Sequence, residues 1–140
     1  MPTTQLPPAI MVDLDGTLAD VIPARHHMHD GRRDYEAFHT YGTGDAAPIA
    51  NTVVLVETFA ALGAQVLLVS GRQARWEPRT RDWLDRHHIG FDQLWMRPND
   101  FKGKDADAKL SASISRDETS MRSIAASHPM VPDVAVSAAK

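Results

Sequence analysis

Asp13 and Asp15 stand two residues apart in the run Asp13-Leu14-Asp15-Gly16-Thr17-Leu18, directly after the apolar stretch Ala9-Ile10-Met11-Val12. In an extended strand alternate residues point to the same side, so both carboxylates leave the strand end on one face. Gly16 permits the turn the chain must make beyond it. Two carboxylates held together repel unless a cation or a shared proton separates them. The pattern predicts an oxygen-ligand site of the Mg²⁺ type, with one carboxylate free to attack phosphorus.

These residues need a scaffold, and the hydrophobic pattern describes one. Ala9 to Val12 reads as a short buried strand, and Val66-Leu67-Leu68-Val69 as a second, ending at Ser70-Gly71-Arg72. Between them, Asn51 is a candidate N-cap, Leu55, Phe59 and Leu62 follow at helical spacing, and Gly63 is placed to end that helix. A further helix is expected from about Pro78, with Trp83, Leu84 and His87 on one face and Gly90 as its stop. Phe91 to Met96 makes a third strand, ending at Arg97-Pro98. Strand, helix, strand, helix, strand implies a parallel α/β sheet with flanking helices, small and Rossmann-like. Ligands bind such sheets beyond the carboxyl ends of the strands, where Asp13, Ser70 and Arg97 fall. Ala19 to Pro48 has no sustained period and reads as a long polar loop, long enough to be functional. Trp76, Trp83 and Trp95 read as core or cleft-wall residues.

Bulk properties narrow the function. A chain of 140 residues suits one domain, with little room for a large cap domain. The net charge of −3 argues against wrapping duplex nucleic acid nonspecifically, while leaving room for a small basic groove. There are no cysteines, which excludes disulfides, thiol catalysis and Cys-type zinc sites. Met1 to Pro8 lacks the pattern of a secretory signal and no apolar run is long enough to span a bilayer, so a cytoplasmic protein without a membrane partner is expected. The cluster His26-His27-Met28-His29 has no carboxylate at a ligand spacing and reads as solvated.

Asp13-x-Asp15-Gly16-Thr17 followed by Ser70-Gly71-Arg72 resembles the first two motifs of the haloacid dehalogenase (HAD) superfamily, most of whose members are phosphatases. Val69-Ser70-Gly71-Arg72, Arg97-Pro98 and the pair Asp105 and Lys109 are similar to the polynucleotide 3′-phosphatase branch found in phage kinase–phosphatase enzymes. The resemblance implies that Asp13 is the nucleophile, forming an aspartyl-phosphate, and that Asp15 protonates the leaving oxygen and then activates water. It implies catalytic roles for Ser70 and for Lys109, whose ammonium Asp105 would orient from four residues away. Substrate contacts would come from Thr17, Gly71, Arg33, Arg97 and Asp105, with Arg72 as a phosphate fork. Tyr35, Phe38 or Tyr41 would stack on a base. Mg²⁺ would sit on Asp13, Asp15 and an acid from the pair Asp117-Glu118, here Asp117.

The resemblance covers residues 9 to about 109 well; residues 111–140 match it poorly. The implied reaction is Mg²⁺-dependent phosphomonoester hydrolysis on a nucleic-acid 3′-phosphate end or a nucleotide. The kinase half of the bifunctional relatives is absent, because no Gly-x-x-x-x-Gly-Lys-Ser/Thr loop occurs. A phosphatase of free nucleotides or small phosphoesters and a catalytically silent phosphate- or nucleic-acid-binding remnant remain as alternatives.

Overall fold

The computed structural model describes residues 7–31 and 33–104. Three strands, β1 (Ala9–Asp13), β2 (Gln65–Gln73) and β3 (Gln93–Arg97), form a parallel sheet in the order β1-β2-β3. Ala9 pairs with Gln65 and Asp13 with Val69 on one side of β2, and Leu67 pairs with Gln93 on the other. Parallel neighbours require crossovers. The first carries a 3₁₀ helix (Ile22–Met28), α1 (Tyr35–Thr43) and α2 (Ala50–Ala61); the second carries α3 (Glu77–Arg86). β2 is the middle strand of this sheet and is buried along its length from Gln65 to Ser70. That explains its unbroken apolar run: a strand covered on both faces has no polar face to alternate with.

The sequence placed the strands and the α/β crossovers correctly and erred in four local details, the first being that α3 ends at Arg86, with His88 at φ +55°, ahead of the Gly90 expected to stop it. Ser70-Gly71-Arg72 belongs to β2 rather than to a turn after it. The strand is irregular there, because its register with β3 shifts between Ser70 and Gln73 and the Ser70 Oγ accepts the Arg72 backbone N–H at 3.1 Å. Asn51 lies inside α2, whose N-cap is Ile49 and uses no side chain. The chain enters that helix through backbone bonds instead, Ile49 N–H to the Leu18 carbonyl at 2.7 Å and Asp20 N–H to Ala47 at 2.8 Å. Finally, the expected loop from Ala19 to Pro48 is largely helical. Asp34 caps α1 by accepting the Ala37 N–H at 2.9 Å, and Glu36 adds an acid to the first turn, where the helix dipole favours it. Gly63 does terminate α2, with φ +88° and its N–H on the Ala60 carbonyl.

The core gathers Leu14, Leu18, Val66, Leu68, Trp83 and Leu84 between the sheet and the helices. Trp83 is fully buried and donates its indole N–H to the Ala46 carbonyl at 2.8 Å, tying α3 to the segment before α2. Arg86, one turn later, donates to the carbonyls of Thr43 and Gly44 and so caps the C-terminus of α1. Trp83→Phe keeps the apolar bulk but leaves the Ala46 carbonyl without its donor. The expected loss is about 1–3 kcal/mol, read as a lower urea midpoint at unchanged slope; an unchanged midpoint would mean the indole bond adds nothing.

Candidate active site

The turn after β1 sets the site. Leu14 offers its carbonyl to the N–H groups of Thr17, Leu18 and Ala19 at 2.9–3.2 Å, and Gly16 returns its own N–H to Ala19. Gly16 sits at φ +81° with nothing within 4 Å of where a Cβ would be, so the conformation alone calls for glycine there. This single tight turn brings Asp13, at the end of β1, and Asp15, just beyond it, to one open cavity of about 510 Å³. Gly71 and Arg97, at the ends of β2 and β3, line the same cavity. Of the three strand-end residues named from the sequence, Asp13 and Arg97 line the cavity, and at β2 Gly71 does so in place of Ser70.

Arg72 corrects the sequence reading. Its guanidinium was expected to hold phosphate, yet it is 1% exposed and closes on the protein itself. Nε lies 3.2 and 3.0 Å from the two Asp15 oxygens, and Nη2 adds a further bond to Asp15 Oδ1. Nη1 donates to Thr80 Oγ1 at 3.0 Å and Nη2 to the Gly42 carbonyl at 3.0 Å. The fork is therefore used up in fixing Asp15, and Arg72 is a positioning residue. Gly42 leaves room for this. A Cβ on it would stand 3.0 Å from Arg72 Nη2 and 3.2 Å from Asp15 Oδ1, so a larger residue would press on the Arg72–Asp15 pair. Ser70 is likewise buried, with its hydroxyl taking the Arg72 N–H, and it is not among the residues that line the cavity. Thr17 is half-buried and does not line it either.

The cavity has a basic rim. Arg33, Arg97, Lys102 and Lys104 line it along with the two carboxylates. Arg97 Nε is buried without a hydrogen-bond partner. Tyr35, 42% exposed, and the half-buried Phe38 both stand at the wall of the cavity, whereas Tyr41 packs against the core and does not line it. Of the three aromatics expected to stack on a base, only Tyr35 offers an open ring. Lys109, Asp105 and Asp117 lie outside the described residues. Mg²⁺ takes hard oxygen ligands and keeps several waters, and the Asp13 and Asp15 oxygens suit it. No group of three or more His, Cys, Asp or Glu able to hold a metal occurs among the described residues.

Lys102 and Lys104 are site residues the sequence reading missed, and so is His39. It lies on α1, one turn after Tyr35, is 8% exposed, and lines the cavity with Nδ1 at 3.9 Å from Asp15 Oδ2. Tyr35 and His39 share a face of α1, and the cap residue Asp34 with Glu36 in the first turn is the sequence signal for that helix. Burial pushes the His39 imidazole from 6.5 down to about 4; nearby Asp15 pulls it up, and Arg72, Arg75 and Arg97 push it further down.

The family model described as the polynucleotide kinase PNKP phosphatase domain matches residues 7–116. The chain belongs to that family. A structure of the Pnkp1/Rnl/Hen1 RNA repair complex aligns at 25% identity and TM-score 0.67 over 82% of this chain and 33% of that one. A second structure of the Pnkp1/Rnl/Hen1 complex aligns at 26% identity and TM-score 0.67, over 82% and 36%. The chain thus spans about a third of the length of these relatives. The class C acid phosphatase from Bacillus anthracis, at 19% identity and TM-score 0.58 over 78% of this chain and 48% of that one, shares the fold. No match is found among curated proteins. In this phosphatase-domain family the described chain is a HAD-like sheet with its acidic pair at the strand ends, and none of its described helices is long and apolar enough to cross a membrane.

Two outcomes follow from the site. Removing Arg72 leaves Asp15 without its counter-charge, and Arg72→Met should cost about 3–5 kcal/mol, measured by chemical denaturation; a loss under about 1 kcal/mol would mean the pair contributes little. His39 is neutral in the folded chain at pH 7 and protonates in the unfolded chain below 6.5, so between pH 6.5 and about 4 the unfolded state binds more protons. Stability should fall as the pH drops through that window, by about 2–3 kcal/mol more in the wild type than in His39→Phe. Parallel pH–stability curves for the two would refute it.

Proposed function

We propose that this chain is a Mg²⁺-dependent phosphomonoesterase that works through an aspartyl-phosphate on Asp13 and acts on 3′-phosphate ends of nucleic acid. The observation that carries this reading is the pairing, in one cavity, of the Asp13 and Asp15 carboxylates with the cations Arg33, Arg97, Lys102 and Lys104. Two acids alone would repel a phosphate. Four cations around them favour a dianionic ligand that brings its phosphorus to Asp13.

In the first step a carboxylate oxygen of Asp13 bonds to phosphorus while the bond from phosphorus to the leaving oxygen breaks. Asp15 gives its proton to that oxygen. In the second step water attacks phosphorus, Asp15 takes its proton, and the bond to Asp13 breaks to restore the carboxylate. One acid serves both directions because Arg72 fixes its orientation, and positioned acid–base catalysis is worth about 10²–10⁴-fold. Asp13 through its carboxylate and Asp15 through its backbone carbonyl would hold the Mg²⁺, with Asp117 as third ligand. When bound, the ion would offset the repulsion between Asp13 and the phosphate. By the family resemblance Lys109, oriented by Asp105, would offset charge on the phosphate, and Gly71, which lines the cavity, would contact the substrate. Tyr35 at the cavity wall supports a nucleotide on the leaving side, since every base presents a face to stack on.

The test is phosphate release from a 3′-phosphorylated oligonucleotide with Mg²⁺ or EDTA, for the wild type and Asp13→Asn. Release that requires both Mg²⁺ and Asp13, with the variant down by at least about 10³-fold, is expected. Equal or faster release from free mononucleotides would replace the nucleic-acid substrate with a small one. No release from either, by folded protein, would overturn the reading in favour of a silent binding remnant.

A further inference from the structure

His39 has a feature that packing does not explain. Its residue is more than nine-tenths buried, yet Nδ1 has no hydrogen-bond partner. A buried polar atom left unpaired costs about 1–3 kcal/mol, so an apolar ring would be the more stable occupant of an all-structural position. The surroundings would accept one. Tyr35 stacks on the imidazole with centroids 6.1 Å apart, and Phe38 and Trp76 meet it edge-on at 5.4 and 5.6 Å. These rings hold the imidazole in place, and the residue lines the cavity that contains Asp15.

The distance to Asp15 carries the argument. At 3.9 Å, Nδ1 and Asp15 Oδ2 are too far apart to bond each other. They are the right distance apart for one oxygen atom to sit at about 2.8 Å from both. The other side of Asp15 is taken, since Arg72 places Nε on both oxygens and Nη2 on Oδ1. Oδ2 is therefore the less encumbered oxygen, and it is the one near His39.

We infer that His39 binds the leaving group: its Nδ1–H hydrogen-bonds the same substrate oxygen to which Asp15 delivers a proton. The inference rests on the phosphatase reading above and adds a second donor to its first step. As the bond from phosphorus to the leaving oxygen breaks, its electron pair stays on that oxygen. Asp15 transfers its proton there, and His39 donates a hydrogen bond while keeping its own proton. Such a donor matters most where the leaving group is a poor one. A sugar alkoxide needs the help, and a nitrophenolate does not.

That contrast gives the experiment. We would measure kcat/KM, which reports formation of the phosphoenzyme, on a nucleoside 3′-phosphate and on p-nitrophenyl phosphate, with Mg²⁺. The proteins are the wild type, His39→Phe, which fills the ring site, and His39→Asn, whose side-chain amide can replace the Nδ1 donor. Circular dichroism and thermal unfolding would establish that each is folded, and His39→Ala would stand in for a Phe variant that is not. The expected result is a loss of about 10²-fold on the nucleotide, of less than about 10-fold on the aryl ester, and recovery in His39→Asn to within about 10-fold of the wild type. Equal losses on both esters would make His39 a packing residue and overturn the inference. So would unchanged rates on both. A wild type inactive on both esters and on the 3′-phosphorylated oligonucleotide would instead remove the phosphatase reading on which the inference rests.

Discussion

The buried contact between Arg72 and Asp15 is the constraint on which the rest of this structure depends. A guanidinium that is 1% exposed must have its donors met within the protein. It meets them by drawing together four parts of the chain: the turn after β1, the end of β2, Gly42 on α1, and Thr80 on α3. Each partner comes from a different element, so the pair acts as a joint. It also decides where one face of Asp15 points, leaving Oδ2 towards His39 and the cavity. A lysine could not replace it, because a single ammonium cannot present a planar fork to a carboxylate while reaching a hydroxyl and a carbonyl at other angles.

α1 is the second organising feature. A bare parallel sheet offers its strand ends to solvent, and a reaction at phosphorus needs a site with controlled access to water. Here the chain between β1 and α2 folds back as a helix, seats Gly42 against Arg72, and brings Tyr35, Phe38 and His39 to the cavity. Ion pairing of Glu36 with Arg75 at 3.0 Å and the Arg86 cap at the other end fix its position. Nine residues of helix thus do part of what a cap domain would do, while the cavity stays open.

The charges divide by depth. Asp13 and Asp15 sit at the strand ends, half-buried, while Arg33, Lys102 and Lys104 are exposed around them. Exposed cations lose much of their pull to solvent and salt, so they suit capture of a phosphate more than its activation. Activation falls to the deeper groups, whose positions are fixed by Arg72 and by the turn at Gly16.

The sequence by itself determined the strands, the parallel α/β order and the place of the acidic pair. These depend on local physics: a run of β-branched and aliphatic residues, a glycine where φ must be positive, and carboxylates at a spacing of two. That Asp13 and Arg97 come to the same side of the sheet follows from the same pattern, because parallel crossovers send the strand ends to one edge. Tertiary structure alone decided what the polar side chains do. Arg72 reads in sequence as a phosphate fork, since nothing local says that Asp15, Thr80 and Gly42 will surround it. Ser70 and Thr17 read as site residues, and burial takes the first into a backbone bond and leaves the second off the cavity wall. His39 carries no motif and sits in a stretch whose helical period is obscured by histidines, glycines and charges. Its role near Asp15 depends on α1 folding over the strand ends, a long-range contact eased by the missing Cβ of Gly42.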